Sequence, residues 1–101
     1  MFWTIKRIKE ANASAAKYFF APDTMRFFDS HVLHTVYEGN GGIFFVTSER
    51  CTIRNFSSPR KYTVREFDPL SGNVFTYGPF NEYDRRTAHK VAKLASQRRK
   101  K

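Results

Sequence analysis

Lys61-Tyr62-Thr63-Val64-Arg65-Glu66-Phe67, followed by Asp68-Pro69-Leu70-Ser71-Gly72 and then by Asn73-Val74-Phe75-Thr76-Tyr77, is the stretch on which the fold turns. Side chains of an extended chain alternate between two faces. Tyr62, Val64 and Glu66 therefore share one face of the first segment and Thr63, Arg65 and Phe67 the other. In the second segment Phe75 and Tyr77 lie opposite Val74 and Thr76. Between them, proline presets a turn and Gly72 can take the left-handed backbone that sends the chain back. The stretch predicts an antiparallel hairpin.

Downstream, Gly78-Pro79 breaks the strand, and a basic helix is expected with Asp84 as its N-cap, or with Asn81 one turn earlier. Ala88, Val91, Leu94 and Ala95 make a narrow apolar stripe suited to lie on a sheet, while Arg86, Lys90, Lys93 and Lys100 line the other side. From Asp84 onward the chain carries eight Lys or Arg and no further acid. Arg98-Arg99-Lys100-Lys101 is expected to be a frayed basic tail, leaving residues 1–97 as one α+β domain.

Upstream, Val32 to Tyr37 and Ile43 to Ser48 have the β-branched and aromatic content of strands, and Glu38-Gly39-Asn40-Gly41-Gly42 supplies a hairpin turn between them. The segment from Glu49 to Arg60 reads as a loop between hairpins, with an extension of the preceding strand through Ile53 as an alternative. Thr4 can cap a first helix bearing Ile5, Ile8 and Ala15 or Ala16. Pro22 disfavours helical backbone at Ala21, so this helix should end between Lys17 and Phe20, with Tyr18-Phe19-Phe20 plugging the core. Asp23 to Asp29 reads as a short second helix opened by Pro22. The expected order is α-α-β-β-β-β-α: a four-stranded antiparallel sheet of two hairpins, with the N-terminal helices and the basic C-terminal helix packed on it.

A chain of 101 residues has room for one core, which excludes a two-domain enzyme. Its aromatic share of 17% allows that core to be filled with few residues. The formal charge of +9 points to a polyanionic partner such as DNA, RNA or an anionic membrane surface, although the same charge also serves solubility. A single cysteine, Cys51, rules out an internal disulfide framework. Lys6 and Arg7 follow Met1 with no apolar run behind them, so no secretory signal is expected. The apolar run Ile43 to Val46 is too short to span a bilayer, so a cytoplasmic protein with no membrane partner is expected.

The segments Phe20-Ala21-Pro22-Asp23-Thr24-Met25-Arg26-Phe27-Phe28, Val36-Tyr37, Gly42 to Glu49 and Tyr62-Thr63-Val64-Arg65-Glu66-Phe67-Asp68 resemble a family of small uncharacterised proteins of bacteria, phages and mobile elements. That likeness implies a phage or mobile-element setting, with the cytoplasm of a bacterial host as its place, and no assigned activity. From Tyr62 to Leu94, the order strand, turn, strand and alanine-bearing helix is similar to the β-ribbon and helix of AP2-type and integrase arm-binding domains. In those folds the sheet enters the DNA major groove. Carried over by position, Arg60, Lys61 and Arg65 become the strand residues that touch DNA.

Phosphate contacts are expected from these three and from Arg85, Arg86, Lys90, Lys93, Arg98 and Arg99, since cations at helical spacing can follow a nucleic-acid backbone. Two other function classes stand beside this non-catalytic reading. One is an inhibitor or adaptor of a host protein, anchored by aromatics such as Trp3, Tyr37, Phe56 or Tyr77. The other is a small toxin-type ribonuclease in which Arg65, Glu66, Tyr77 and His89 converge. His31 and His34, with Asp29 and Cys51, are the clustered metal-capable side chains. Residues 31 and 34 of a strand point to opposite faces, so no metal and no cofactor is expected.

Overall fold

The computed structural model describes residues 2–21, 28–51 and 58–98, with Phe28 by its backbone alone. Its elements are α1 (Ile5–Ser14), β1 (Phe28–Gly39), β2 (Gly42–Cys51), β3 (Lys61–Phe67), β4 (Val74–Tyr77) and α2 (Arg85–Gln97). The four strands form one antiparallel meander in the order β1-β2-β3-β4. The expected α+β architecture with two hairpins is present, and the described order is α-β-β-β-β-α. Of the second helix expected at residues 23–29, Phe28 and Asp29 instead open β1, and the remainder lies outside the described residues, as do Ile53 and Phe56.

Pleating splits the core into two layers, one on each face of the sheet. Phe44, Val46 and Val64 pack with Ala88, Ala92 and Ala95 of α2, joined by Leu33, Tyr37, Tyr77 and Val91. On the reverse face Ile43, Phe45 and Phe67 pack with Ile5 and Ile8 of α1, joined by Trp3, Phe19, Phe20 and Val36. Phe44 and Phe45 are adjacent in sequence and 1% and 0% exposed in opposite layers. Each such burial contributes about 1.5–3 kcal/mol.

β1 runs well beyond Val32 to Tyr37. It pairs with β2 from Phe28↔Cys51 to Gly39↔Gly42, and its register shifts by two residues between Val32 and Val36. The bulge keeps Val32 and Val36 on the α1 face and Leu33 and Tyr37 on the α2 face. A periodicity search sees only the regular part of such a strand.

The Asp68–Asn73 turn is fixed by its own side chains. Asp68 accepts from the Leu70 N–H at 3.0 Å and from the Ser71 hydroxyl at 2.7 Å, and Gly72 has φ +77°. Asn12 of α1, 1% exposed, ties this turn to the helix: its amide donates to the Gly72 carbonyl, and its carbonyl accepts from the Phe19 N–H, both at 2.8 Å.

The Thr4 hydroxyl caps α1 by accepting from the Arg7 N–H at 3.2 Å. The helix stops earlier than Pro22 alone requires. Ala16 takes φ +57°, and the N–H groups of Ala16 and Lys17 return to the carbonyls of Ala13 and Asn12, closing a Schellman motif without glycine. Phe19 and Phe20 then turn inward while Tyr18 stays 61% exposed, so two of the three aromatics plug the core. No helix of the described residues is long and apolar enough to cross a membrane.

Candidate nucleic-acid interface

Gly78 to Tyr83 carry the chain from β4 back alongside β3, where Tyr83 and Tyr62 exchange backbone hydrogen bonds of 2.9 and 3.2 Å. That bridge aims the next residue, Asp84, at the start of α2. Its carboxylate accepts from the Thr87 N–H at 2.7 Å. This hydrogen bond, helped by the charges of Lys61 and Arg86, holds the carboxyl below its ordinary range.

Ala88, Ala92, Ala95 and Ser96 are buried against the sheet, and their small side chains let α2 approach closely. At its C-terminal end the Gly41 N–H donates to the Ser96 carbonyl at 2.9 Å. The expected stripe is corrected at one position: Leu94 is 53% exposed, and Ala92 takes the core place, because the line of closest approach runs through positions 88, 92 and 95. Arg86, Lys90 and Lys93 therefore stand together on the solvent side. Among the described residues none of them has a carboxylate within ion-pair distance.

The other expected contacts divide. Arg85 and Lys61 are exposed at the same end of the molecule as the Asp84 cap. Arg98 is exposed at the C-cap and donates to the Tyr77 hydroxyl at 3.0 Å. Arg99 lies outside the described residues.

Arg60 and Arg65 are turned to internal contacts, and of the three strand positions expected to touch DNA Lys61 alone is exposed. Arg60 donates to the Ser48 hydroxyl at 2.8 Å and pairs with Asp29 across the sheet. Arg65 is 4% exposed and points to the α1 face. Its guanidinium meets Glu49 at 3.2 Å, Thr47 at 3.0 Å and Thr76 at 2.7 Å, under the rings of Phe19 and Phe80. Glu49 also accepts from the Thr63 hydroxyl at 2.8 Å, and Thr63 in turn accepts from the Asn81 N–H at 2.8 Å. No described buried polar side chain is left without a partner. Nothing in the sequence marks this network, since Glu49 and Arg65 meet only once β2 and β3 are paired and a third strand supplies Thr76.

The four side chains weighed for ribonuclease chemistry fall on both sides of the sheet. Tyr77 and Glu66 share the α2 face, whereas Arg65 is on the α1 face. His89 of α2 receives Tyr37: the hydroxyl and Nδ1 are 2.8 Å apart. Burial, and then the charge of Arg85, push the His89 imidazole below its ordinary value. The imidazole is therefore neutral near pH 7, and the Tyr37 hydroxyl donates to Nδ1 when that nitrogen is unprotonated. Of the metal-capable set, His31 lies 3.2 Å from Asp29, and no three His, Cys, Asp or Glu gather about a common point among the described residues.

No curated protein and no solved structure matches the chain. Residues 4–94, which take in every element from α1 through most of α2, match the family described as "Family of unknown function (DUF7447)", and the chain belongs to that family.

Proposed function

We propose that the chain binds the phosphate backbone of nucleic acid through the outer flank of α2, without catalysis. The observation that carries this reading is the placement of Arg86, Lys90 and Lys93 on one exposed helix flank, none of them in an ion pair among the described residues. Lys61, Arg85 and Arg98 extend the positive surface around it. Side chains spaced one turn apart can follow successive phosphates, and such contacts position a protein without reading sequence. Arg60 and Arg65 are not part of this surface, so α2 rather than the strand ribbon meets the backbone.

A gel-shift titration against duplex DNA, single-stranded DNA and RNA at several salt concentrations tests it. Neutralising three phosphates gives a slope of about −3 in log K against log salt on duplex DNA. The double change K90E/K93E should abolish most of the affinity. Absence of binding at about 50 mM salt, or affinity unchanged in that variant, would overturn the proposal.

A further inference from the structure

We infer that the chain forms a two-fold dimer with a second copy of itself by antiparallel pairing along the outer edge of β1, which joins two four-stranded sheets into one. The sheet has two edges, and they are built differently. β4 has four residues and is followed by Gly78-Pro79, whereas β1 has twelve. None of the chain's 18 Lys and Arg lies in β1, and neither does a proline. Shortness, lysine and proline are devices that keep an edge strand from pairing, and β1 has none of the three. Among the described residues no strand pairs with its outer side.

The bulge between Val32 and Val36 divides this edge, and the longer regular run is Phe28–Val32. Its β2 neighbours Thr47, Ser48 and Glu49 are buried, while Ser30 and His31 are exposed and Asp29 and Val32 half-buried, so the run is open on its outer side. Two copies of one strand that pair antiparallel share a two-fold axis normal to the sheet. The register that uses the whole run sets Ser30 on that axis, Asp29 opposite His31 of the second copy, and Val32 opposite its Phe28. Within one chain His31 Nε2 already lies 3.2 Å from Asp29 Oδ1, the side chains 65% and 39% exposed. The other Asp29 oxygen is held by Arg60, with Arg50 3.9 Å away, so the carboxylate is fixed in place. Pairing builds a row of two imidazoles and two carboxylates across the axis, a complementary set of cross-strand neighbours.

Both copies of α2 then stand on the same side of the joined sheet, because the axis is normal to it. The pairings Ser30↔Glu49, Glu49↔Lys61 and Tyr62↔Tyr83 put the start of α2 at the end of the sheet where the axis runs. Tyr37 of β1 meets His89, so Arg85, one turn before His89, is on the helix flank turned toward β1. The positive flanks of the two helices thereby lie on one face, to either side of the axis. Repulsion between two chains of net charge +9 keeps the dimer weak. The inference rests on the β1 edge and needs no nucleic acid.

Sedimentation velocity of the nuclease-treated full chain over a concentration series tests it. The mean mass should rise from one chain and level at two. H31D sets a carboxylate opposite Asp29 of the second copy and should weaken the dimer severalfold, with little change in the urea midpoint because His31 is exposed. A cross-link locates the contact even where the dimer is weak. In a Cys51→Ser background, S30C should join two chains under mild oxidation much faster than H34C, which lies on the same strand beyond the regular run. Ser30 tolerates the change, since its hydroxyl reaches Glu49 only at 3.4 Å. Wild-type mass fixed at one chain, growth past two, or S30C and H34C joining at equal rates would overturn the inference. Each of these results leaves the gel-shift test of α2 untouched, so the two proposals fail separately.

Discussion

The Arg65 guanidinium lies 3.2 Å from the Glu49 carboxylate, with the two side chains 4% and 0% exposed: a charge pair sealed inside a molecule whose surface is dominated by cations. Burial holds the Arg65 guanidinium below its ordinary value, and Glu49 works against that shift. The pair joins β2 to β3 and, through Thr76, β3 to β4. Taking two charges out of water is costly, so the pair fixes which strands meet more than it adds net stability.

Arg65→Ala leaves the Glu49 carboxylate buried without its cation and should cost about 3–5 kcal/mol, read as a lower urea midpoint. The double change E49L/R65M removes both charges at once and should cost clearly less than the single one. Equal losses in the two variants would show that the charge imbalance is not the cause.

Gly41→Ala places a methyl group on the Ala95 carbonyl oxygen, and backbone at a helix end cannot step aside as a flexible side chain can. The C-terminal turn of α2 must lift from the β1–β2 turn. We expect a loss of about 1–3 kcal/mol, with amide exchange accelerated first at Ala95 and Ser96.

His89 makes stability depend on pH. Its folded value is depressed by burial and by Arg85, so the unfolded chain takes up the proton first as pH falls. The contribution is fully present above the ordinary histidine value and is lost as pH falls from there toward the folded value. The Tyr37 hydroxyl, 2.8 Å from Nδ1, faces the same ring. In H89Q the slope of unfolding free energy against pH just below about 6.5 should flatten, which denaturant titrations at stepped pH will measure.

The two helix caps should separate by charge. Thr4→Ala removes the acceptor for the Arg7 N–H and should cost about 1 kcal/mol at any pH. Asp84→Ala should lower the melting temperature at neutral pH, while Asp84→Asn keeps an acceptor and loses less. The Asp84 carboxyl is depressed in the fold, so its contribution is present above the ordinary carboxylate range and disappears as pH falls through the folded value. Wild type and Asp84→Ala should therefore converge in strong acid.

Local chemistry was legible where one segment contains its own cause. The strand Lys61–Phe67 matches its expected bounds, and the Asp68–Asn73 turn and the Asp84 and Thr4 caps are where turn and cap residues place them. The ends of α1 and β1 were less so. Ala16 takes a left-handed backbone that its residue type does not announce, and the β1 bulge carries the strand through Asp29 and His31, whose polarity hides it.

Alternation, turn residues and capping residues depend on neighbours a few positions away, so the amino-acid sequence by itself determined the two hairpins, the basic helix and its starting point. Which cations face water depended on contacts between segments far apart. Pairing of β2, β3 and β4 drew Arg65 inside toward Glu49, and the crossing of α2 over the sheet put Ala92 in the core and Leu94 beside Lys90 and Lys93 in solvent. An arginine and a leucine carry no mark of the face they will occupy until the sheet and the helix above it have been assembled.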